Sequence, residues 1–304
     1  MVHFAGARDS LVGVTHECDY PPGVEELPKL TRSKIGGSND SQFAPTPSLT
    51  SAEIDAAVSA LSDEGSIYAL DAALLERLAP DLVITQGLCE VCAVSMDVVE
   101  AAVSRMSGAP DVLSLDPTSL HDVLGDAVRI GEAVGRGEQT RAKVAALEER
   151  LVRVQDKVAG LPRPCVGCIE WIDPPFSAGH WVPEMVSLAG GEDLLAAPGD
   201  PSVRLGWEAV FDAAPEVLIL MPCGFDVERT SREARSLSEI PGWKHLPAVR
   251  ENRVWAVDAN SYFSRPAPRL VDGVEILARI LHPEAFPDPP EPGDARRPQY
   301  SLKG

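Results

Sequence analysis

An aromatic segment, Trp171–Trp181 (WIDPPFSAGHW), carries the residues of this chain most suited to binding a ligand. It gathers Trp, Phe, His and Asp around a Pro-Pro pair, although aromatic residues make up only 5% of the chain. Rigid rings offer contact area to a large flat ligand, and His180 and Asp173 add polar anchors. The segment follows a strand pattern, where α/β folds place binding groups. The alternative interpretation is a Pro-braced loop that packs into the core.

Segments rich in polar, aromatic and Cys residues also follow the other strand patterns. They read HECDYPP (16–22), QGLCEVCAVS (86–95), PCGF (222–225) and DANSYFSRPAPR (258–269). Loops at the carboxyl ends of parallel strands meet ligands, so these segments predict one aromatic-lined cleft between two facing lobes. Arg265 and Arg269 are the main cationic side chains expected there. They either fork to an acidic group of a ligand or form ion pairs within the protein.

Cys89-x-x-Cys92 opens a predicted helix, where the pKa of a thiol falls and metal or redox chemistry becomes available. A thiolate metal site there would draw further ligands from Cys18, Cys223 or His180. The same spacing is also typical of small buried thiols in a tight loop, so both interpretations stay open. Cys165 and Cys168 lie three apart on a predicted strand and therefore point to opposite faces, which indicates packing rather than a shared metal.

Short apolar runs alternate with helical patterns along the chain, which predicts an α/β fold with a mostly parallel sheet. The helical patterns include Ala93–Met106 and Pro266–Leu281. Apolar residues at helical spacing also predict a long helix over 118–161, with Gly135 and Gly137 as places where it breaks or kinks. The strands are expected at Leu11–Thr15, Asp81–Thr85, Val112–Leu115, Val166–Trp171, Val217–Met221 and Arg253–Val257.

The predicted organisation is an N-terminal α/β lobe (1–117), a linker helix (118–161), a C-terminal α/β lobe (162–286) and a disordered Pro-rich tail (287–304). The chain has 304 residues and a net charge of −19, which argues against nucleic acid and anionic membranes as partners. No apolar run reaches the ~18 residues of a membrane-spanning helix. The N-terminus lacks a secretory signal, which predicts a cytoplasmic protein unless an upstream segment is missing.

The sequence contains no arrangement that favours catalysis. It has no GxGxxG after the first strand pattern, no GxxxxGK[ST] and no GxSxG. Neither paired carboxylates nor a combination of nucleophile, base and oxyanion site can be recognised. We therefore expect a protein that captures a ligand, not an enzyme, with no required cofactor.

Seven segments together resemble the cobalamin-binding branch of the substrate-binding proteins of ABC-type importers. They are THECDYPP, TRS (31–33), LAPDLVITQGLCEVCAVS, WIDPPFSAGHWVPEMVSLAGG, PCGF, PGW (241–243) and YFSRPAPRLVDGVEIL. The resemblance, from about Leu11 to Phe286, implies two Rossmann-like lobes joined by a long helix, as in the class III proteins of the family. A corrinoid would lie between the lobes. The family's first strand-helix unit has no counterpart before Leu11.

The resemblance also implies which residues contact the ligand. From the second lobe these are Trp171, Asp173, Phe176, His180, Trp181, Phe225, Tyr262, Phe263 and Arg265. Cys18, Cys89 and Cys92 would come from the first lobe. Gln86, which follows the second strand pattern, is a further predicted ligand contact, and Cys89 and Cys92 are also the predicted metal pair.

The leading hypothesis is a monomeric, non-catalytic binder of cobalamin or a related corrinoid, for import through an ABC transporter permease or for handling inside the cell. A ferric siderophore or haem is the alternative ligand, and more cationic side chains at the cleft would favour it. A metal-binding or thiol-redox protein that uses Cys89 and Cys92 is the third hypothesis.

Overall fold

The computed structural model describes residues 1–35, 49–61, 67–87 and 94–299. Helices alternate with strands along the chain, which confirms the α/β class. The chain divides into two compact units. The first unit comprises Met1–Pro117 and Asp126–Arg141, and the second comprises Thr118–Gly125 and Ala142–Gly304.

The first unit contains two short pairs of strands. Strand β1 pairs antiparallel with β2, and β3 pairs parallel with β4 in register from Leu82 opposite Asp111 to Gln86 opposite Leu115. The strands are β1 (Thr31–Ser33), β2 (Tyr68–Leu70), β3 (Leu82–Gln86) and β4 (Asp111–Leu115), and the helices are α1 (Ser51–Leu61), α2 (Ala72–Leu78) and α3 (Met96–Val103).

The strand predicted at Leu11–Thr15 is wrong. Within this segment only Val14 forms a bridge, to Lys29. The chain turns directly afterwards, since the Cys18 N–H donates to the Thr15 carbonyl at 3.2 Å. Too few extended residues remain for a ladder.

The second unit is built on a larger mixed sheet, in the order β10-β9-β8-β5-β6. Strands β5, β8 and β9 are parallel neighbours, β10 is antiparallel to β9, and β7 pairs with β5. The strands are β5 (Cys165–Trp171), β6 (Phe176–Ser177), β7 (Glu192–Asp193), β8 (Val217–Leu220), β9 (Val254–Val257) and β10 (Ala295–Arg296). The helices are α6 (Val182–Leu188), α7 (Trp207–Ala213), α8 (Val227–Glu233), α9 (Pro247–Arg250), α10 (Ala259–Tyr262) and α11 (Leu270–Leu281).

The core of the second unit follows from the apolar runs of its central strands. All four residues of β8 are fully buried, as expected for a parallel strand with both faces covered. Trp243 is buried in the same core and meets Trp207 edge-on, with 5.8 Å between ring centroids. Trp243 therefore belongs to a continuous apolar interior packed against β8.

The single helix predicted over 118–161 is two helices, α4 (Leu120–Ala133) and α5 (Gly137–Val158). Gly135 lies between them at φ +70°, the left-handed conformation that ends many helices. A Cβ at Gly131 would lie 2.3 Å from Thr140 Oγ1, so glycine is also needed where the two helices approach. The apolar periodicity continues across the turn, which is why it indicated one helix.

The disordered tail predicted for 287–304 is wrong for residues 287–299. Strand β10 places Ala295 opposite Val257, and Ala295 is buried. The Pro-rich composition suggested disorder, but a short antiparallel strand needs few apolar residues when a neighbouring sheet edge is available. Residues 300–304 lie outside the described ranges.

None of the helices in the described ranges has both the length and the apolar character needed to cross a bilayer.

Candidate functional site

Three loops of the second unit leave its sheet at one edge. Strands β5, β8 and β9 run parallel and pair in sequence, so their carboxyl ends lie side by side. The segments that follow them are 172–181, 221–226 and 258–269. Open α/β sheets bind ligands at this end of their strands. The aromatic segments predicted to contact a ligand lie in these three loops.

The first of these loops is held firmly by its backbone. Ser177 N donates to the Val203 carbonyl at 2.9 Å, and His180 N donates to the Asp200 carbonyl at 2.6 Å. A Cβ at Gly179 would lie 2.4 Å from the Ser202 backbone nitrogen, so only glycine fits this close approach. The loop therefore presents its side chains from a defined backbone.

Three of the predicted ligand contacts are buried in the structure. Trp181 is 4% exposed, Phe225 2% and Phe263 1%. The Trp181 indole Nε1 donates to the Phe263 carbonyl at 2.7 Å, which ties the first loop to the third. These three rings are packed inside the protein. Their burial agrees with the alternative interpretation of the aromatic segment, in which it packs into the core.

The other predicted aromatic residues, Trp171, Phe176 and Tyr262, retain exposed surface. Trp171 rests against Phe225 with 5.5 Å between ring centroids, so a buried ring supports it from below. Asp173 is exposed in the same loop.

His180 is half-buried and adopts φ +54°. Desolvation lowers the pKa of its imidazole, which favours the neutral form. Its ring lies 5.7 Å from that of Trp181, and its nitrogens make no hydrogen bond within the described residues. A neutral imidazole in this setting is suited to accept or donate a hydrogen bond to a ligand.

Arginine side chains stack on three of the predicted site rings. Distances from Cζ to the ring centroid are 5.7 Å for Arg204 over Phe176, 3.7 Å for Arg229 over Phe225 and 4.6 Å for Arg269 over Tyr262. Such guanidinium–ring contacts orient a cation without removing its charge.

Arg265 and Arg269 are the cationic side chains that the sequence predicts beside these loops. The structure adds Arg204 and Arg229, which the sequence did not predict. Arg265 is half-buried here. Arg229 lies four residues after Phe225, a helical spacing that offered a local signal. Arg204 meets Phe176 only through a bridge between distant segments, for which the sequence gives no local sign.

Two ligand contacts predicted in the first unit, Cys18 and Gln86, lie in different parts of that unit. Cys18 is partly exposed, and its sulfur lies 3.3 Å from Thr15 Oγ1. Gln86 is the last residue of β3 and is half-buried. The following Gly87 donates its N–H to the Asp116 carboxylate at 2.8 Å.

The metal pair predicted at Cys89 and Cys92 lies outside the described residues. Within the described ranges, no group of three or more His, Cys, Asp or Glu side chains is arranged to hold a metal ion. Cys168 is fully buried, and burial raises the pKa of its thiol well above the usual range. Cys165, the first residue of β5, keeps some exposure.

Two relatives connect the sequence with transport proteins. An uncharacterized ABC transporter substrate-binding lipoprotein of Bacillus subtilis, YvrC, is 24% identical over 289 residues, which cover 92% of this chain and 76% of the relative. A vitamin B12-binding protein of Vibrio cholerae is 32% identical over 108 residues, which cover 35% of each chain.

Two solved structures share the fold. The periplasmic vitamin B12 binding protein BtuF of Vibrio cholerae superposes with a TM-score of 0.64 at 19% identity, over 94% of this chain and 93% of that protein. A periplasmic haem-binding protein from Pseudomonas aeruginosa reaches 0.72 at 18% identity, over 100% and 95%. The model of the family described as periplasmic binding protein matches residues 6–260, and the chain therefore belongs to this family.

Proposed function

We propose that this protein binds cobalamin or a related corrinoid without catalysis and delivers it to the permease of an ABC-type importer. The observation that carries the proposal is the aromatic edge of the second unit, where Trp171, Phe176 and Tyr262 are partly exposed above buried rings. A corrinoid offers a large, flat and mainly apolar face, which matches such rings. The similarity to vitamin B12-binding proteins of Vibrio supports the same ligand class.

In this proposal the three partly exposed rings contact the macrocycle, and Asp173, His180 and Arg265 form polar contacts around it. Trp181, Phe225 and Phe263 support the contacting residues from the core. Cys18 and Gln86 are the proposed contribution of the first unit. Covering one partly exposed aromatic ring is worth about 1–3 kcal/mol, so a few rings account for a useful affinity.

We further propose that the protein acts as a monomer outside the cytoplasmic membrane. The relatives named as lipoprotein and as periplasmic proteins support this location.

The decisive experiment is a titration of the purified protein with cyanocobalamin, followed by calorimetry and by the corrinoid absorbance spectrum. We expect saturable one-to-one binding. Trp171→Ala should weaken it by about tenfold or more, because it removes a ring that is exposed to the ligand yet supported from below. Trp207→Ala is the matched control, since Trp207 packs on Phe211 and Trp243 outside the three loops.

Equal weakening by both Trp substitutions would argue against a direct role for Trp171. Absence of cyanocobalamin binding by the unaltered protein would refute the corrinoid assignment.

The arginines of the edge favour a second candidate, an anionic iron ligand such as haem or a ferric siderophore. Arg204, Arg229 and Arg269 supply three guanidinium groups beside the predicted site rings, in a chain whose net charge is −19. Charge-assisted hydrogen bonds from guanidinium groups to carboxylates are strong and directional, so these side chains suit the acidic groups of such ligands.

Titration with hemin separates the two candidates. If the anionic ligand is correct, hemin should bind more tightly than cyanocobalamin, and Arg269→Gln should weaken hemin binding by about tenfold. Arg153→Gln is the control, because Arg153 lies on α5 and is largely exposed. An Arg269→Gln protein that binds hemin like the control would exclude charge recognition at this position.

A further inference from the structure

We propose that Asp294 of the C-terminal segment 287–299 is a positioning residue of the binding site, which holds the loop 258–269 in its binding conformation. The consequence for ligand binding rests on the proposed function. The consequence for the loop itself does not.

The backbone of Asp294 fixes the start of this loop. Strand β10 runs antiparallel to β9, with Arg296 opposite Ala256 and Ala295 opposite Val257. One step further, the Asp258 N–H donates to the Asp294 carbonyl at 2.8 Å. Asp258 follows the last residue of β9, so this hydrogen bond is made where the strand becomes the loop.

The side chain of Asp294 reaches the middle of the same loop. Its carboxylate interacts with the Tyr262 hydroxyl, which also meets the Arg269 guanidinium. Arg269 in turn lies over the Tyr262 ring at 4.6 Å. Tyr262 is therefore held between an anion from the C-terminal segment and a cation from the end of the loop.

Further hydrogen bonds connect the loop that contains Tyr262 to the other two loops of the site. The Asp258 carboxylate caps α10 by accepting from Ser261 N at 2.9 Å. Asn260 N donates to the Phe225 carbonyl at 3.1 Å, and the Phe263 carbonyl accepts the Trp181 indole N–H. A shift of Tyr262 would thus be transmitted to the loops after β5 and β8.

The segment is anchored well enough to serve as a support. Ala295 is buried, Arg296 forms an ion pair with Glu228 of α8, and Arg297 lies over Trp255 at 4.8 Å. All of these contacts are made within the protein, so the support does not depend on the ligand.

The test compares Asp294→Ala and Asp294→Asn in the full-length protein. Asp288→Ala is the matched control, because Asp288 is exposed in the same segment. Hydrogen exchange without ligand reports the loop directly. We expect faster exchange of the amides of residues 260–263 in Asp294→Ala, little change in the control, and partial restoration in Asp294→Asn, whose amide oxygen still accepts from Tyr262.

The ligand arm uses cyanocobalamin and hemin as probes. Whichever probe the unaltered protein binds should bind about tenfold more weakly to Asp294→Ala, while its melting temperature stays close to that of the control. Unchanged exchange in the loop would overturn the proposal, whatever the ligand. If neither probe binds the unaltered protein, the proposed function fails, and the exchange result alone decides the role of Asp294.

Discussion

The two units differ in how deeply their parallel strands are buried. In the second unit every residue of β8 is fully buried, whereas in the first unit all five residues of β3 keep some exposure and β4 begins with two exposed residues. Among the described residues, an apolar cluster of the second unit contains Trp243 and four buried leucines, while a cluster of the first unit contains Ala5, Leu115 and Ile130. The two units thus share the alternation of helices and strands but differ in how completely their parallel strands are buried.

This difference indicates that the second unit is the more rigid platform for aromatic side chains. Rings on a loop stay partly exposed at low cost only when a packed interior fixes the loop beneath them. All Trp residues of the chain belong to the second unit, at positions 171, 181, 207, 243 and 255. Trp fluorescence therefore reports the unfolding of this unit, and far-UV circular dichroism reports both.

The largest expected effect is a contrast between Ile219→Ala in β8 and Ile84→Ala in β3. Ile219 is fully buried, so its truncation should cost about 2–5 kcal/mol of unfolding free energy, whereas the half-buried Ile84 should cost about 1 kcal/mol. Urea unfolding followed by Trp fluorescence and by circular dichroism measures both. Ile219→Ala should shift the fluorescence transition, and Ile84→Ala should shift only part of the dichroism.

Coincident fluorescence and dichroism transitions in both Ile variants would show that the units unfold as one. Equal losses of unfolding free energy would contradict the difference in burial that the comparison rests on.

The second prediction concerns Asp193 of β7, whose carboxylate is enclosed although the residue as a whole keeps some exposure. Burial raises the pKa of Asp193 to about 7, and its Oδ2 atom is enclosed without a hydrogen bond within the described residues. The folded protein therefore keeps this proton while the unfolded chain, with an ordinary pKa of about 4, has lost it. Stability from this group is fully present below about pH 4 and is lost as the pH rises through about 7.

Asp193→Asn removes this pH dependence. Relative to the unaltered protein, the variant should gain roughly 2 kcal/mol of unfolding free energy between pH 5 and pH 8. Urea unfolding at the two pH values, followed by Trp fluorescence, measures the gain. Glu192→Gln is the control, because Glu192 is the exposed neighbour in the same short strand. A gain that is the same at both pH values would mean that Asp193 ionises normally.

The sequence predicts strands of four or more residues better than shorter ones, whether buried or partly exposed. Continuous apolar runs located β5 and β8 to within one residue, because both faces of such strands must be covered. The strand pair β1 and β2 was missed, since three-residue strands carry no periodic pattern. The glycines at 135 and 137 predicted a break or a kink in the long helix, and the structure has a break at Gly135.

The candidate site could likewise be predicted only in part. The strand order predicted which loops share an edge, so Trp171, Phe225 and Tyr262 could be grouped in advance. It could not predict that Trp181 points into the interior, because this depends on a hydrogen bond to the carbonyl of Phe263, 82 residues away. Contacts between segments distant in the chain decide which side chain of a grouped set faces outward.

A smaller loss of unfolding free energy is expected when an ion pair on the surface of the second unit is removed. Arg150 on α5 pairs with Asp272 at 2.6 Å and Glu275 at 2.9 Å on α11, and these carboxylates raise its pKa further above the usual range. Because all three side chains keep partial exposure, Arg150→Ala should cost only about 1 kcal/mol. Urea unfolding followed by Trp fluorescence measures the loss.

Arg153→Ala is the matched control for Arg150, since its pair with Glu149 is 3.9 Å long and exposed. A loss above that of Ile219→Ala would mean that ion pairs, and not the core, set the stability of the second unit.

The last prediction uses one interaction that both units contain. Asp226 caps α8 by accepting from Arg229 N at 2.7 Å, and Asp71 caps α2 of the first unit by accepting from Leu74 N at 2.8 Å. Replacing either residue by Ala removes the same hydrogen bond, so each should cost about 1 kcal/mol locally. Asp226→Ala should shift the midpoint of the fluorescence transition, whereas Asp71→Ala should leave it in place and shift only the dichroism. Because the lost contact is the same in both variants, a difference in readout can come only from the unit that contains it. If Asp71→Ala moves the fluorescence midpoint as far as Asp226→Ala does, the interior of the second unit does not unfold independently of the first.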